Sequence, residues 1–405
     1  MPPHLRAGHD LLAAGTAQIL PATGLAEKLL TADREGRPLR VKLGIDPSGS
    51  ELTLGHAVVL RKLRQFQELG HLVVLIVGDF TGRVGDPTGR SQVRQLLTAE
   101  QTERNSRGYV EQLMLILDPD RVELRRNSEW LAGMTMVDVI GEAAHLTVAQ
   151  LLERDDFAVR WAARQPISLV EFLYPLLQGT DSVAVEADIE VGGTDQTYNL
   201  LVGRDLQRAH GRSPQTVLTL PLLEGTDGTQ KMSKSLGNYI AISEPANDQF
   251  GKAMSIPDPL TVRYAELCTD LSAAQVAEIA VDVAKGGAAA GAAKRRVARE
   301  IVTLYRGVAA AVAAEEHFNA LFRDHRVPQD LAEHRIGQVD PVHLPGLLVD
   351  LGFAPSTSAA RRLLDQGAVR VGDRRVEPGR YDLPRAELDG AVLSAGKRRQ
   401  ARLTS

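Results

Sequence analysis

Two short apolar runs of strand length, Val41 to Asp46 and Leu72 to Asp79, flank a stretch in which Val58, Val59, Leu63 and Phe66 recur at helical spacing. This succession of a strand, a helix over Leu54 to Leu69 and a second strand constrains the chain more than any other feature. It calls for a parallel sheet closed by right-handed crossovers, and such sheets bind ligands beyond the carboxyl ends of their strands. Two further runs, Ala187 to Val191 and Thr216 to Leu223, extend the expected sheet.

From Glu244 to about Phe322 the pattern turns helical and Ala-rich, with Ala277 to Val283 and Arg295 to Val312 as the clearest amphipathic stretches. The glycines within Lys285 to Ala293 mostly read as breaks between helices. Pro328, Pro341 and Pro345 mark a connection to a small last unit. There Thr357 to Gln366 reads as a helix closed by Gly367, and Gly372 with Asp373 joins two short strands. No repeat of solenoid period is visible.

At 405 residues, 43% hydrophobic and 24% charged, the chain has room for two or three domains and is not disordered as a whole. Its one cysteine, Cys268, excludes an intramolecular disulfide and a thiolate metal centre, suits a reducing compartment and reads as a packing residue. The first ten residues lack the basic start and apolar core of a secretion signal, and no stretch matches a membrane span, so a cytoplasmic protein is expected. The net charge is −4, yet Pro341 to Ser405 carries 11 basic against 7 acidic residues, which points to a polyanion partner for the tail.

Chemistry concentrates in two clusters. Gly44-Ile45-Asp46-Pro47-Ser48 and Leu52-Thr53-Leu54-Gly55-His56 put a glycine-containing turn and an imidazole where the first strand hands over to the helix, a place where backbone N–H groups attract phosphate. Gly55 leaves room for a nucleotide and His56 can donate to phosphate oxygens. Alone, this element reads more readily as a helix cap beside a surface histidine. The second cluster, Gln230-Lys231-Met232-Ser233-Lys234-Ser235-Leu236-Gly237-Asn238, combines two lysines and two serines on a polar loop hinged by Gly228 and Gly237, as a mobile phosphate clamp requires. A solvated basic turn would have the same lysines and serines but no reason for Met232. No His or Cys cluster has zinc spacing, so no metal site is expected.

With these clusters in place, the chain resembles the bacterial tyrosyl-tRNA synthetases, class I enzymes with a His-Ile-Gly-His type element and a Lys-Met-Ser-Lys-Ser loop. The resemblance runs nearly end to end. It includes Val77-Gly78-Asp79-Phe80-Thr81-Gly82-Arg83-Val84-Gly85-Asp86-Pro87, Asn127-Ser128-Glu129-Trp130, Glu171-Phe172-Leu173-Tyr174-Pro175-Leu176-Leu177-Gln178 and Gly192-Gly193-Thr194-Asp195-Gln196. It implies an α/β fold: a Rossmann-like catalytic domain over 1–240, an all-helical anticodon-binding domain over 241–335 and a small α+β S4-type RNA-binding domain over 343–405.

The resemblance also implies roles. Tyr174, Gln178 and Asp86 would hold the ammonium group of tyrosine, with Gln196 nearby, and Asp181 would accept its phenol hydrogen and so supply most of the selectivity. Gly44, Asp46, Gly55, Gly192, Asp195 and Met232 would line the ATP site. Catalysis of adenylyl transfer would fall to His56, Lys231 and Lys234, with Thr53 and Ser48. Arg361, Arg362 and Arg370 of the tail would contact RNA. ATP with Mg2+ would be a substrate, with no tightly bound cofactor; L-tyrosine and tRNA(Tyr) would complete the reaction, and the enzyme would be a homodimer. Two positions depart from the family pattern: Thr53 stands where a histidine is usual, and Thr180 where a tyrosine is usual. They leave open a duplicated synthetase with another amino-acid substrate or a role in secondary metabolism. A cytidylyltransferase-like enzyme would share the Gly-His element but explains neither the tyrosine pocket nor the tail, and a non-catalytic RNA-binding descendant is a third reading.

Overall fold

A computed structural model describes residues 1–47, 51–88, 98–322, 333–372, 374–396 and 399–404. Ser48, Pro328 and Asp373, all singled out above, lie outside them. The chain divides into two compact units, Met1–Ala311 and Val312–Ser405.

Among the described residues, the first unit contains six strands: β1 (Gln18–Leu20), β2 (Arg40–Ile45), β3 (Leu72–Val77), β4 (Val122–Arg126), β5 (Ile189–Gly193) and β6 (Thr216–Leu220). They lie in the order β1-β6-β5-β2-β3-β4, and all pairs are parallel except β1 with β6 at the edge. This is the expected Rossmann-like sheet. From β2 the chain winds outward through β3 and β4, and from β5 it winds the other way through β6. The direction therefore reverses between β2 and β5, where a parallel sheet opens a crevice at its carboxyl edge.

Sequence and packing agree at the centre. In β3 every residue from Val73 to Val77 is buried, as suits a strand covered on both faces. The helix between β2 and β3, α1 (Leu54–Glu68), buries Val58, Leu63 and Phe66. Three more helices shape the crevice or its surroundings: α2 (Met136–Ala143), α3 (Leu169–Ala184) and α4 (Thr197–Ala209).

The helical stretch expected after Glu244 forms Ala246–Ser255, Thr261–Cys268, Ala273–Lys285 and Gly287–Arg306, followed by Val308–Phe322. Gly286 and Gly287, with φ of 70° and 54°, make the anticipated break, whereas Gly291 sits inside a helix. Arg295 to Val312 is not one helix. Gly307, at φ 84°, ends the first and separates it from the next. Cys268 is fully buried, and burial pushes its thiol up to about 12, in keeping with a packing residue.

The second unit has short strands in the order Arg374–Arg375, Val369–Val371, Val392–Ala395, Arg399–Thr404, Glu333–Arg335, with helices Leu344–Asp350 and Thr357–Asp365. Leu348, Ala360, Leu364, Val369, Leu393 and Leu403 form its core. The Ser356 hydroxyl caps the second helix by accepting from the Ala359 N–H at 3.2 Å, and Gly367 follows that helix at φ 63°.

Candidate active site

The crevice between β2 and β5 holds a cavity of about 370 Å³. Gly44 and Asp46 reach it from the end of β2, and Gly192 from the end of β5; Thr53, Gly55 and His56 reach it from the start of α1, and Tyr174, Gln178 and Asp181 from α3. Asp86, Asp195, Gln196, Lys231 and Met232 complete the set. Every described residue expected at the tyrosine and ATP sites therefore lines this one cavity, except Lys234.

Helix α3 sets the buried end. Tyr174, Gln178 and Asp181 stand four and three residues apart, so they share one helical face. The helix is started firmly: the Ser168 N–H donates to Glu171 at 2.8 Å, and Arg160 grips the same carboxylate. Asp181 is 3% exposed and accepts from Trp130 Nε1 at 2.8 Å and Asn127 Nδ2 at 3.3 Å. Burial pushes its carboxyl up to about 7, opposed by Lys42 and by those two donors. Beneath it lies a buried ion pair, Lys42 Nζ to Glu190 at 2.8 Å. Lys42 also donates to Ser182 Oγ at 2.7 Å and to the Gln178 carbonyl at 2.9 Å, while Gln178 Nε2 donates to Glu190 at 3.2 Å. The donor end of Gln178 is thus turned inward.

The carboxylates are held as firmly. Tyr174 donates its phenol hydrogen to Asp46 Oδ2 at 2.9 Å, and burial together with Asp46 and Asp86 keeps that phenol un-ionised. Thr81 donates to Asp46 Oδ1 at 2.7 Å and accepts from Asn127 Nδ2 at 2.8 Å, so a hydrogen-bonded chain runs from Asp46 to Asp181. A Cβ at Gly78 would overlap Asp46 Oδ1 and Thr81 Oγ1, which leaves glycine as the residue that fits. Asp86 Oδ1 closes a turn on the Thr88 N–H at 2.9 Å, and its Oδ2 accepts from Gln196 Nε2 at 2.7 Å.

At the other end, His56 Nδ1 faces the Thr53 N–H at 3.2 Å and the Thr53 hydroxyl at 2.9 Å. A backbone N–H can only donate, so Nδ1 is the acceptor and the ring proton sits on Nε2. Burial, then Lys234 and Lys231, lowers His56 to about 4. The ring is a neutral N–H donor at ordinary pH. The α1 start is less open to phosphate than its sequence suggested, because the Leu54 N–H is taken by the Ile240 carbonyl at 2.9 Å. Lys231 pairs with Asp195 at 3.0 Å. Lys234 points elsewhere, donating to Tyr109 Oη at 2.7 Å and the Glu51 carbonyl at 2.9 Å. Thr180, which stands where a tyrosine is usual, does not line the cavity; its hydroxyl donates to the Leu176 carbonyl at 2.9 Å.

Comparison with known proteins bears on this arrangement. Residues 34–323 match the family model of tRNA synthetases class I (W and Y), and residues 344–380 match the S4 domain. The tyrosine-tRNA ligase of Moorella thermoacetica is 50% identical over 97% of this chain and 94% of its own. That of Geobacter sulfurreducens is 49% identical over 97% and 98%. This chain belongs to the tyrosine-tRNA ligase family of class I synthetases. Among solved structures, tyrosyl-tRNA synthetase from Archaeoglobus fulgidus, complexed with L-tyrosine, superposes with a TM-score of 0.62 at 22% identity, covering 76% of this chain and 99% of that one, a likeness of fold.

Within this ligase family frame, several residues that support the crevice drew no role from the sequence. Lys42 and Glu190 could have been noticed as charges inside otherwise apolar strands, a pattern that demands a buried partner. Asn127 and Trp130 stood inside a recognised motif without an assigned task. Arg154, 6% exposed and donating to Thr88 Oγ1 at 2.6 Å, gave no local signal at all. Arg361, Arg362 and Arg370 of the S4 domain are exposed, and Arg361 lies over the Tyr381 ring at 5.5 Å.

Proposed function

We propose that this chain is a tyrosine-tRNA ligase that activates L-tyrosine with ATP and Mg2+ and passes it to tRNA(Tyr), in three functional parts, 1–240, 241–335 and 343–405. The tyrosine carboxylate attacks the α-phosphorus of ATP in line, the bond to the β-phosphate oxygen breaks, and pyrophosphate leaves with Mg2+. A ribose hydroxyl at the tRNA end then attacks the tyrosyl carbonyl and AMP departs. Neither step needs an enzyme nucleophile; positioning and hydrogen bonds that tighten in the transition state suffice.

The observation that carries this reading is one cavity with a buried carboxylate, Asp181, at its enclosed end and an N–H donor and a lysine, His56 and Lys231, at its other end. Asp181 accepts the substrate phenol hydrogen. The oxygens of Tyr174, Gln178 and Asp86 receive the ammonium group, with Gln196 holding Asp86 in place. Gly44, Asp46, Gly55, Gly192, Asp195 and Met232 take the nucleotide. His56 Nε2 donates to the α-phosphate as it becomes pentacoordinate, and Thr53 orients the ring; Ser48 assists from outside the described residues. Lys231 exchanges Asp195 for phosphate oxygens, and Lys234 exchanges Tyr109.

Arg361, Arg362 and Arg370 contact the tRNA backbone, consistent with the basic excess of the tail. Met136, Val137 and Ile140 of α2, each more than 60% exposed, supply apolar surface for a homodimer. No helix among the described residues is long and apolar enough to cross a membrane, and we assign the enzyme to the cytoplasm. ATP–pyrophosphate exchange with a panel of amino acids tests the proposal. Exchange stimulated by tyrosine supports it; stimulation by a different amino acid, or none, overturns it.

A further inference from the structure

Away from the crevice, three side chains with metal-binding chemistry meet where α2 and α4 end. Glu142 lies in the last turn of α2, His145 follows it with its backbone N–H on the Glu142 carbonyl at 3.1 Å, and His210 is the C-terminal cap of α4. Their ligating atoms all lie within 4.8 Å of one another. His210 Nε2 is 2.9 Å from Glu142 Oε1, and the two imidazoles meet edge to face with centroids 6.1 Å apart. The second Glu142 oxygen, Oε2, is buried without a hydrogen-bond partner, a costly state for a carboxylate unless another ligand satisfies it.

The backbone around these groups is anchored. Ala143 and Leu146, which bracket the turn, pack against Leu176, Val202 and Leu206. Two helix C-termini converge here, and their partial negative charge favours a cation. The spacing of Glu142 and His145 gives no signal in the sequence because the third group comes from another helix.

We propose that Glu142, His145 and His210 bind one divalent transition-metal ion of the zinc kind, with water in the remaining position. Two imidazoles and a carboxylate suit such an ion, whereas Mg2+ and Ca2+ take oxygen donors. With metal–ligand bonds of roughly 2 Å, tetrahedral ligand atoms stand roughly 3.3 Å apart, so the groups close in by no more than about 1.5 Å. Both histidines are exposed, so no packed core resists that movement. The ion ties the end of α2 to α4, whose Asn199 donates to Gln196 of the crevice at 3.0 Å, and acts as a structural clamp.

The test uses the full chain without an affinity tag, stripped by a chelator, dialysed, and titrated with Zn2+ against a chromophoric competitor, with His145→Ala and His210→Ala alongside. One equivalent per chain is expected, with a Zn2+-dependent rise in Tm. Either variant should bind roughly tenfold or more weakly and lose the rise in Tm, with exchange activity unchanged. Excess Mg2+ should leave Zn2+ bound. Binding without a defined stoichiometry, variants that bind as tightly as the wild type, or displacement by Mg2+ would overturn the site.

Discussion

The Thr53 backbone N–H donates to His56 Nδ1 at 3.2 Å, with the Thr53 hydroxyl 2.9 Å from the same nitrogen, so the residue that departs from the family pattern sets the tautomer of the histidine beside it. Because the backbone group alone suffices to hold Nδ1 as an acceptor, the loss at position 53 of a second imidazole leaves the Nε2–H in place.

Two substitutions separate these contributions. His56→Ala should slow tyrosine-dependent exchange by about 10²–10³-fold, the usual effect of removing one donor to a developing charge. Thr53→Ala keeps the backbone donor, so its loss of rate should stay below about tenfold, with a cost of about 1 kcal/mol in stability from the weakened helix cap. Equal losses in single-turnover adenylate formation would contradict the assignment.

Asp181, pushed up to about 7 from 3.8, gives a pH signature. A protonated carboxyl is the poorer acceptor, so the KM for tyrosine should rise as pH falls below 7, and Asp181→Asn should flatten that limb and erode selectivity against phenylalanine. The stability sign is fixed as well. Between pH 3.8 and about 7 the folded chain keeps a proton that the unfolded chain has released, so Asp181 costs stability as pH rises through that window. The Tm of Asp181→Asn should therefore gain on that of the wild type over the same range. His56, lowered from 6.5 to about 4, acts oppositely, costing stability as pH falls through its own window.

Lys231→Ala and Lys234→Ala should lower the rate of adenylate formation while leaving the Kd for tyrosine within about twofold, since both act on the departing phosphates. Tyr109→Phe removes a resting partner of Lys234 but no group of the phosphate clamp, so it should leave the rate within about threefold of wild type. Stopped-flow fluorescence with tyrosine alone and then with ATP measures both quantities.

Lys42→Met should destabilise the protein by about 3–5 kcal/mol, because it leaves Glu190 charged and buried without its partner. Adding Glu190→Gln should recover part of that loss. Denaturant titration of the single and double variants gives the comparison.

The sheet centre was legible because Val41, Val73 to Val77, Val58 and Phe66 carry their burial in their own periodicity. The edges were not. β1 has three residues, and β4, Val-Glu-Leu-Arg-Arg, alternates with charges, so neither reads as a strand until a neighbour pairs with it. In the crevice, the residues expected to bind substrate stood in recognisable motifs, whereas Arg154 and Glu190 support them through contacts between segments distant in sequence. The single amphipathic stretch read through Gly307 failed for a local reason: a left-handed φ of 84° interrupts a pattern whose side-chain periodicity continues across it.

The ion pair of Lys42 and Glu190 joins two adjoining central strands and also bears on the helix that presents Gln178 and Asp181. Selectivity and foldability consequently share a foundation. A descendant adapting to a differently shaped amino acid could not simply reshape the floor of its pocket; it would first have to re-cement the middle of its sheet.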